Sequence, residues 1–151
     1  MRKILALAMF AVMLTPALQA EEAKDKGQGW AGGIRKVAKS ASPAVVSIVT
    51  SQGQGSGVIV DAAKGLILTN HHVVGAAQSV KVQLQDAREL EGKVLGSDPK
   101  SDLAVIRIEA EGLLAVTIGD SDAMEPGDWV VAIGAPFGLK QTITAGIVSA
   151  K

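Results

Sequence analysis

Two adjacent histidines, His71 and His72, sit in the stretch LTNHHVVGA, and they are the only histidines in the chain. Imidazole is the one side chain whose ordinary pKa lies near neutrality, so it can take a proton and return it within one reaction cycle. A histidine at the end of a strand is usually a packing or surface residue. What would separate the two is a group that orients the ring and a group that the ring serves. Further on, DPKSDLAVIRI places Asp102 directly before an apolar run. A carboxylate there is unfavourable without a partner. It either caps a turn or accepts the ring N–H of a histidine, fixing its tautomer and stabilising the imidazolium. Spacing alone leaves both readings open.

The group to be served is harder to find. With no cysteine in the chain, disulfides, thiolate nucleophiles and thiolate zinc sites are excluded. Two neighbouring histidines with no third do not make a zinc site, and no metal or other cofactor is expected. Ser121, in IGDSDAM, follows Gly-Asp, but Asp122 and Ala123 stand where an oxyanion-binding turn would want glycines. Ser56, in GQGSG, lacks the residues that a nucleophile elbow places between serine and its flanking glycines. Ser97 and Lys100 have Ser-x-x-Lys spacing but fall in a polar turn. A dinucleotide fingerprint fails at Val58, where a third glycine is needed.

The elements that must position these residues are short. AVVSIVT, SGVIV, GLILTN, VKVQLQ, ELEGKVLG, LAVIRI, LAVTIG, WVVAIG and TITAGIVSA are rich in valine and isoleucine and are punctuated by glycine, aspartate and proline. Such segments at regular spacing predict an all-β barrel or sandwich. VKVQLQ alternates strictly, with Val80, Val82 and Leu84 on one face, as a half-buried antiparallel strand does. SQGQGSG, Ser51 to Gly57, reads as a flexible turn, and His71 and His72 as neighbours on an extended strand, facing opposite ways. The charged, glycine-bearing stretch from Glu21 to Ser42 reads as a loosely ordered arm closing in a short helical turn. Before it, MRKILALAMFAVMLTPALQA has the order of a secretory signal peptide cleaved after Ala20, with an apolar stretch too short to span a bilayer. Fifteen basic and fifteen acidic residues cancel, so nothing advertises a nucleic-acid partner, and no stable membrane insertion is expected.

GSGVIVDAAKGLILTNHHVV, DPKSDLAVIRI and DSDAMEPGDWVVAIGAPFGLKQTITAGIVSA, in that order, resemble consecutive blocks of the HtrA (Deg) family of periplasmic trypsin-like serine endopeptidases. The resemblance places the family's catalytic histidine, the one followed by two valines, at His72, with His71 in a variable position. It places the catalytic aspartate at Asp102. It implies a fold of two six-stranded β-barrels with the active site between them. By that register residues 1–20 are a signal peptide, 21–40 an N-terminal arm and 41–119 a complete first barrel. Residues 120–151 are then the connection and the opening strands of an incomplete second barrel. The family's nucleophile lies in a Gly-Asn-Ser-Gly-Gly block that this sequence does not contain, so the 151 residues alone are expected to be inactive. The implied substrates are unfolded or misfolded secreted polypeptides, and the implied assembly is a homotrimer in the periplasm. The competing expectation is a non-catalytic pseudo-protease or binding module that joins another protease subunit.

Overall fold

A computed structural model describes residues 29–51, 53–135 and 141–151. The signal-peptide expectation and the first part of the expected arm lie outside these residues. The chain divides into two units between Gly33 and Ile34, and all the described strands belong to the second. The arm ends in a three-turn helix, α1 (Trp30–Ala41), longer than the single turn expected from sequence. Its Ala38 is buried, whereas Val37 is exposed. Among the described residues no helix is long and apolar enough to cross a membrane.

Six strands then close a barrel: β1 (Val45–Thr50), β2 (Gly53–Asp61), β3 (Leu66–Thr69), β4 (Ser79–Gln83), β5 (Glu89–Asp98) and β6 (Leu103–Arg107). Two three-stranded meanders, β1–β2–β3 and β4–β5–β6, join edge to edge through β3–β6 and β1–β4. Every pairing is antiparallel, and bulges at Ile59/Asp61 and Val94/Gly96 supply the bending that closure requires. Alternate side chains point inward. Val46, Ile48, Ile59, Ile67, Val80, Val82 and Ile106 form one buried cluster, each contributing on the order of 2 kcal/mol by leaving water. The interior is filled so closely that a β-carbon added to Gly57 would lie 2.6 Å from Ile67 Cγ2.

Two segments differ from the sequence reading. Gly53 to Gly57 is not a flexible turn but the first half of β2, in register with Thr50 to Val46 of β1. Low intrinsic strand preference is overridden there by a complete ladder. Conversely, LAVTIG forms no strand. Both edges of β2 are already occupied, and the segment makes one ladder-like bond, from Val116 N–H to the Ile59 carbonyl at 2.9 Å. A closed barrel has no edge left for a seventh strand.

Past the connection, β7 (Trp129–Gly134) and β8 (Thr142–Ile147) form a separate two-stranded sheet with Trp129 opposite Ile147. Polar contacts dock it against the barrel. Ala135 N–H donates to Ser56 Oγ at 2.8 Å, and Gln141 Nε2 donates to the carbonyls of Ser42 and Val45 at 2.7 and 2.9 Å. Between sheet and barrel lies an open cavity of about 580 Å³, walled by Val45, Ser47 and Leu84 on one side and Ala135 and Ile143 on the other.

Candidate active site

The histidines follow β3, and they are not on an extended strand. β3 ends when Thr69 has paired with Ala104, and Thr69 Oγ1 donates to the Ser56 carbonyl at 2.8 Å. Asn70 is extended, and His71–Val74 make a single helical turn, α2, closed by Gly75 N–H donating to the His71 carbonyl at 2.7 Å. Gly75 leaves the turn at φ +54°, a conformation open to glycine. Successive residues of a helix diverge by about 100°. The two rings therefore diverge because they lie on a helical turn, not because they alternate along a strand.

Asp102 arrives from the other side. β5 ends at Asp98, whose carboxylate gathers the next turn by accepting Lys100 N–H at 3.0 Å and the Ser101 hydroxyl at 2.8 Å. That turn delivers Asp102 in the left-handed region, at φ +55°. Aspartate tolerates this conformation better than most residues. The Asp102 carbonyl accepts His71 N–H at 3.1 Å and Asn70 Nδ2 at 3.0 Å. Its Oδ1 accepts His72 N–H at 2.9 Å. Its Oδ2 lies 2.7 Å from His72 Nδ1 and 3.2 Å from Asn70 Nδ2.

An ionised carboxylate only accepts hydrogen bonds, so the proton of a neutral His72 ring belongs on Nδ1. Nε2 is then left with its lone pair, the state a general base needs. The His71 ring instead meets Ser97 Oγ through Nδ1 at 3.1 Å. Beside His72 opens a cleft of about 400 Å³ between the start of β2 and α2, lined by Thr50, Gln54, Gly55, Ser56, Asn70 and Val73 among others.

A histidine oriented by an aspartate at the rim of a closed six-stranded barrel coincides with a sequence match. The trypsin-like peptidase domain family matches residues 55–151. This chain belongs to the trypsin-like peptidase family. Within it the similarity is to HtrA-type proteases. The periplasmic serine endoprotease DegP of Salmonella typhimurium is 57% identical over 97 residues, covering 64% of this chain and 20% of that protein. Among solved structures, the HtrA-type protease AlgW with tripeptide superposes with a TM-score of 0.73 at 43% identity, covering 78% of this chain and 40% of that one. The serine endoprotease from Yersinia pestis gives a TM-score of 0.71 at 40% identity, covering 78% of this chain and 44% of that one. The chain thus spans about a fifth of the DegP sequence it matches. Its architecture is a trypsin-like double barrel with the first barrel closed and the second represented by one hairpin.

The serines weighed from the trypsin-like peptidase sequence fall in different places. Ser121 opens an exposed 3-10 turn (Ser121–Ala123) in the connection and does not line the cleft beside His72. Ser97 and Lys100 are exposed, and Ser97 faces His71. Ser56 does line the cleft, but its hydroxyl is engaged by Ala135 N–H. Among the described residues no three His, Asp or Glu side chains are placed to hold a metal ion. Asn70 and Asp98 are the residues that sequence reasoning passed over. Asn70 reads as an ordinary helix-capping asparagine, yet its side chain makes no capping bond and goes to Asp102 instead.

The hydrogen bonds have a pH signature. The His72 backbone N–H, foremost, and the His72 ring hold the Asp102 carboxyl below the usual carboxylate range. A depressed folded-state pKa contributes stability that is present above the unfolded value near 4 and disappears as pH falls through the folded value. Asp102→Asn cannot titrate and loses that share. The urea midpoints of the wild-type and Asp102→Asn chains should therefore stand apart at neutral pH and converge below about pH 4. Parallel curves through that window would show that the carboxylate is not stabilised by its partners.

Proposed function

We propose that this chain is the N-terminal part of an HtrA-type serine endopeptidase that cleaves misfolded secreted polypeptides. The observation that carries this is the 2.7 Å contact between His72 Nδ1 and Asp102 Oδ2 in a trypsin-like first barrel. His72 is the general base and Asp102 its orienter. The nucleophilic serine and the oxyanion-binding turn come from chain beyond the 151 residues, so these residues alone do not hydrolyse peptides. Names of relatives such as the periplasmic DegP support a periplasmic address, and the order of MRKILALAMFAVMLTPALQA supports signal-peptide removal near Ala20. The division into residues 1–20, 21–40, 41–119 and 120–151 belongs to this reading, as does a homotrimer.

In this reading the reaction is acyl transfer. With Nδ1–H held by Asp102, His72 Nε2 accepts the serine proton as the hydroxyl oxygen attacks the scissile carbonyl. The new positive charge on the ring is balanced by the carboxylate beside it. His72 then returns the proton to the leaving amine, and an acyl-enzyme remains. A water molecule gives its proton to Nε2 as its oxygen attacks the acyl carbon, and Nε2 passes that proton to the serine oxygen as the ester bond breaks, releasing the carboxylic acid.

Intact mass and a serine-directed fluorophosphonate probe test the proposal on native protein recovered from the periplasmic fraction. The expected result is a mass well above that of Glu21 to Lys151 and a single covalent label, with the 151-residue chain unlabelled. A native mass equal to Glu21 to Lys151 without label would sink the catalytic reading.

A further inference from the structure

We infer that Asn70 is a positioning residue of the His72–Asp102 pair: its amide bridges the carbonyl and the carboxylate of Asp102 and thereby keeps Oδ2 aimed at the His72 ring. The inference rests on the proposed roles of His72 and Asp102 and adds a third member to them.

Chemistry fixes which end of the Asn70 amide faces Asp102. Both atoms it meets, the Asp102 carbonyl at 3.0 Å and Oδ2 at 3.2 Å, only accept hydrogen bonds, so the NH₂ group points at them. That group carries two hydrogens, and each acceptor takes one. A donor that binds the backbone and the side chain of the same residue restricts the torsions between them. The backbone bond also supports a conformation that L-residues adopt reluctantly, the left-handed φ of +55° at Asp102.

Within these 151 residues the pair is open to water, so neighbouring side chains do not wedge the carboxylate in place. The Asp102 side chain is 44% exposed and that of His72 is 70% exposed. A carboxylate held only by His72 N–H at Oδ1 has a single pivot about which it can swing into solvent. The Asn70 bond at Oδ2 is the second point of attachment besides the ring itself. Asn70 gives up its customary capping bond to α2 to make this contact. A merely structural asparagine at that position would cap the turn.

The readout is the His72 tautomer, measured from the ring ¹⁵N shifts of the neutral imidazole. With two histidines in the chain, His71 serves as an internal reference. In the wild-type chain Nδ1–H should dominate. Asn70→Leu keeps the volume and removes the donor, and should shift the ratio toward Nε2–H by about fivefold, the factor matching a hydrogen bond of ordinary net strength. Asp102→Asn should disturb the tautomer on its own, and adding Asn70→Leu to it should produce no further change.

Asn70→Ala serves if the leucine variant is insoluble. A tautomer that responds to Asp102→Asn but not to either Asn70 variant overturns the inference and leaves the orienter role of Asp102 intact. A tautomer indifferent to Asp102→Asn overturns the underlying reading, and the inference with it. Loss of the native amide spectrum in both Asn70 variants would make the residue a structural one and also overturn the inference.

Discussion

His72→Ala, introduced into the protein that carries the nucleophile, is expected to reduce kcat/KM by about four to six orders of magnitude, while His71→Ala leaves it close to wild type. The asymmetry comes from where the two rings lie. His72 sits 2.7 Å from Asp102 and lines the open cleft. His71 turns away to Ser97 and offers no proton acceptor to that cleft. Peptide hydrolysis and covalent labelling by a serine-directed probe should fall together in the His72 variant, since both need the serine proton removed. Because members of a proton-transfer unit act together, adding Asp102→Ala to His72→Ala should cost little more. The reverse ranking, with His71 essential and His72 dispensable, would show that the register of the site is wrong by one residue.

Gly65→Ala should be the most damaging single-methyl change in the barrel, lowering stability by roughly 3–5 kcal/mol. Gly65 closes the turn between β2 and β3 at φ +63°. An added β-carbon would sit 2.0 Å from the Ile108 carbonyl oxygen, a backbone atom that cannot move alone. Ile108 N–H meanwhile donates to the Gly65 carbonyl at 2.9 Å, so retreat breaks a bond that ties the turn to the chain after β6. Backbone strain, overpacking and a lost hydrogen bond thus act at one position. Gly96→Ala is the control, since open space surrounds its added methyl. Urea melts of both variants check this: a Gly65→Ala midpoint no lower than that of Gly96→Ala would contradict the account.

The strands of the barrel could be read from sequence where burial imposes alternation. Val80, Val82 and Leu84 were legible because one face of β4 meets the core and the other meets water. The reading failed where pairing rather than composition decides the outcome. Gly53 to Gly57 looks like a loop residue by residue, yet β1 offers it a full set of partners. Leu114 to Gly119 has the side chains of a strand but finds no free edge. Of the site, His72 and Asp102 stood out through residue type and family resemblance. Their partner Asn70 did not, because its contact depends on the left-handed turn at Asp102, and nothing in the types Ser101 and Asp102 announces that turn.

The closure of the barrel has a consequence for the order of events in synthesis. All six of its strands, and both His72 and Asp102, lie between Val45 and Arg107, and β1 pairs with β4 rather than with anything later. A chain is delivered N-terminus first, from the ribosome or across a membrane, and compact units fold as they emerge. Every strand of this unit has its partners before β7 has been made. In the reading proposed above, the proton-handling half of the enzyme is then complete in itself before the serine it would activate has been delivered. A nascent protease built in that order cannot cut itself or its neighbours until that serine is in place.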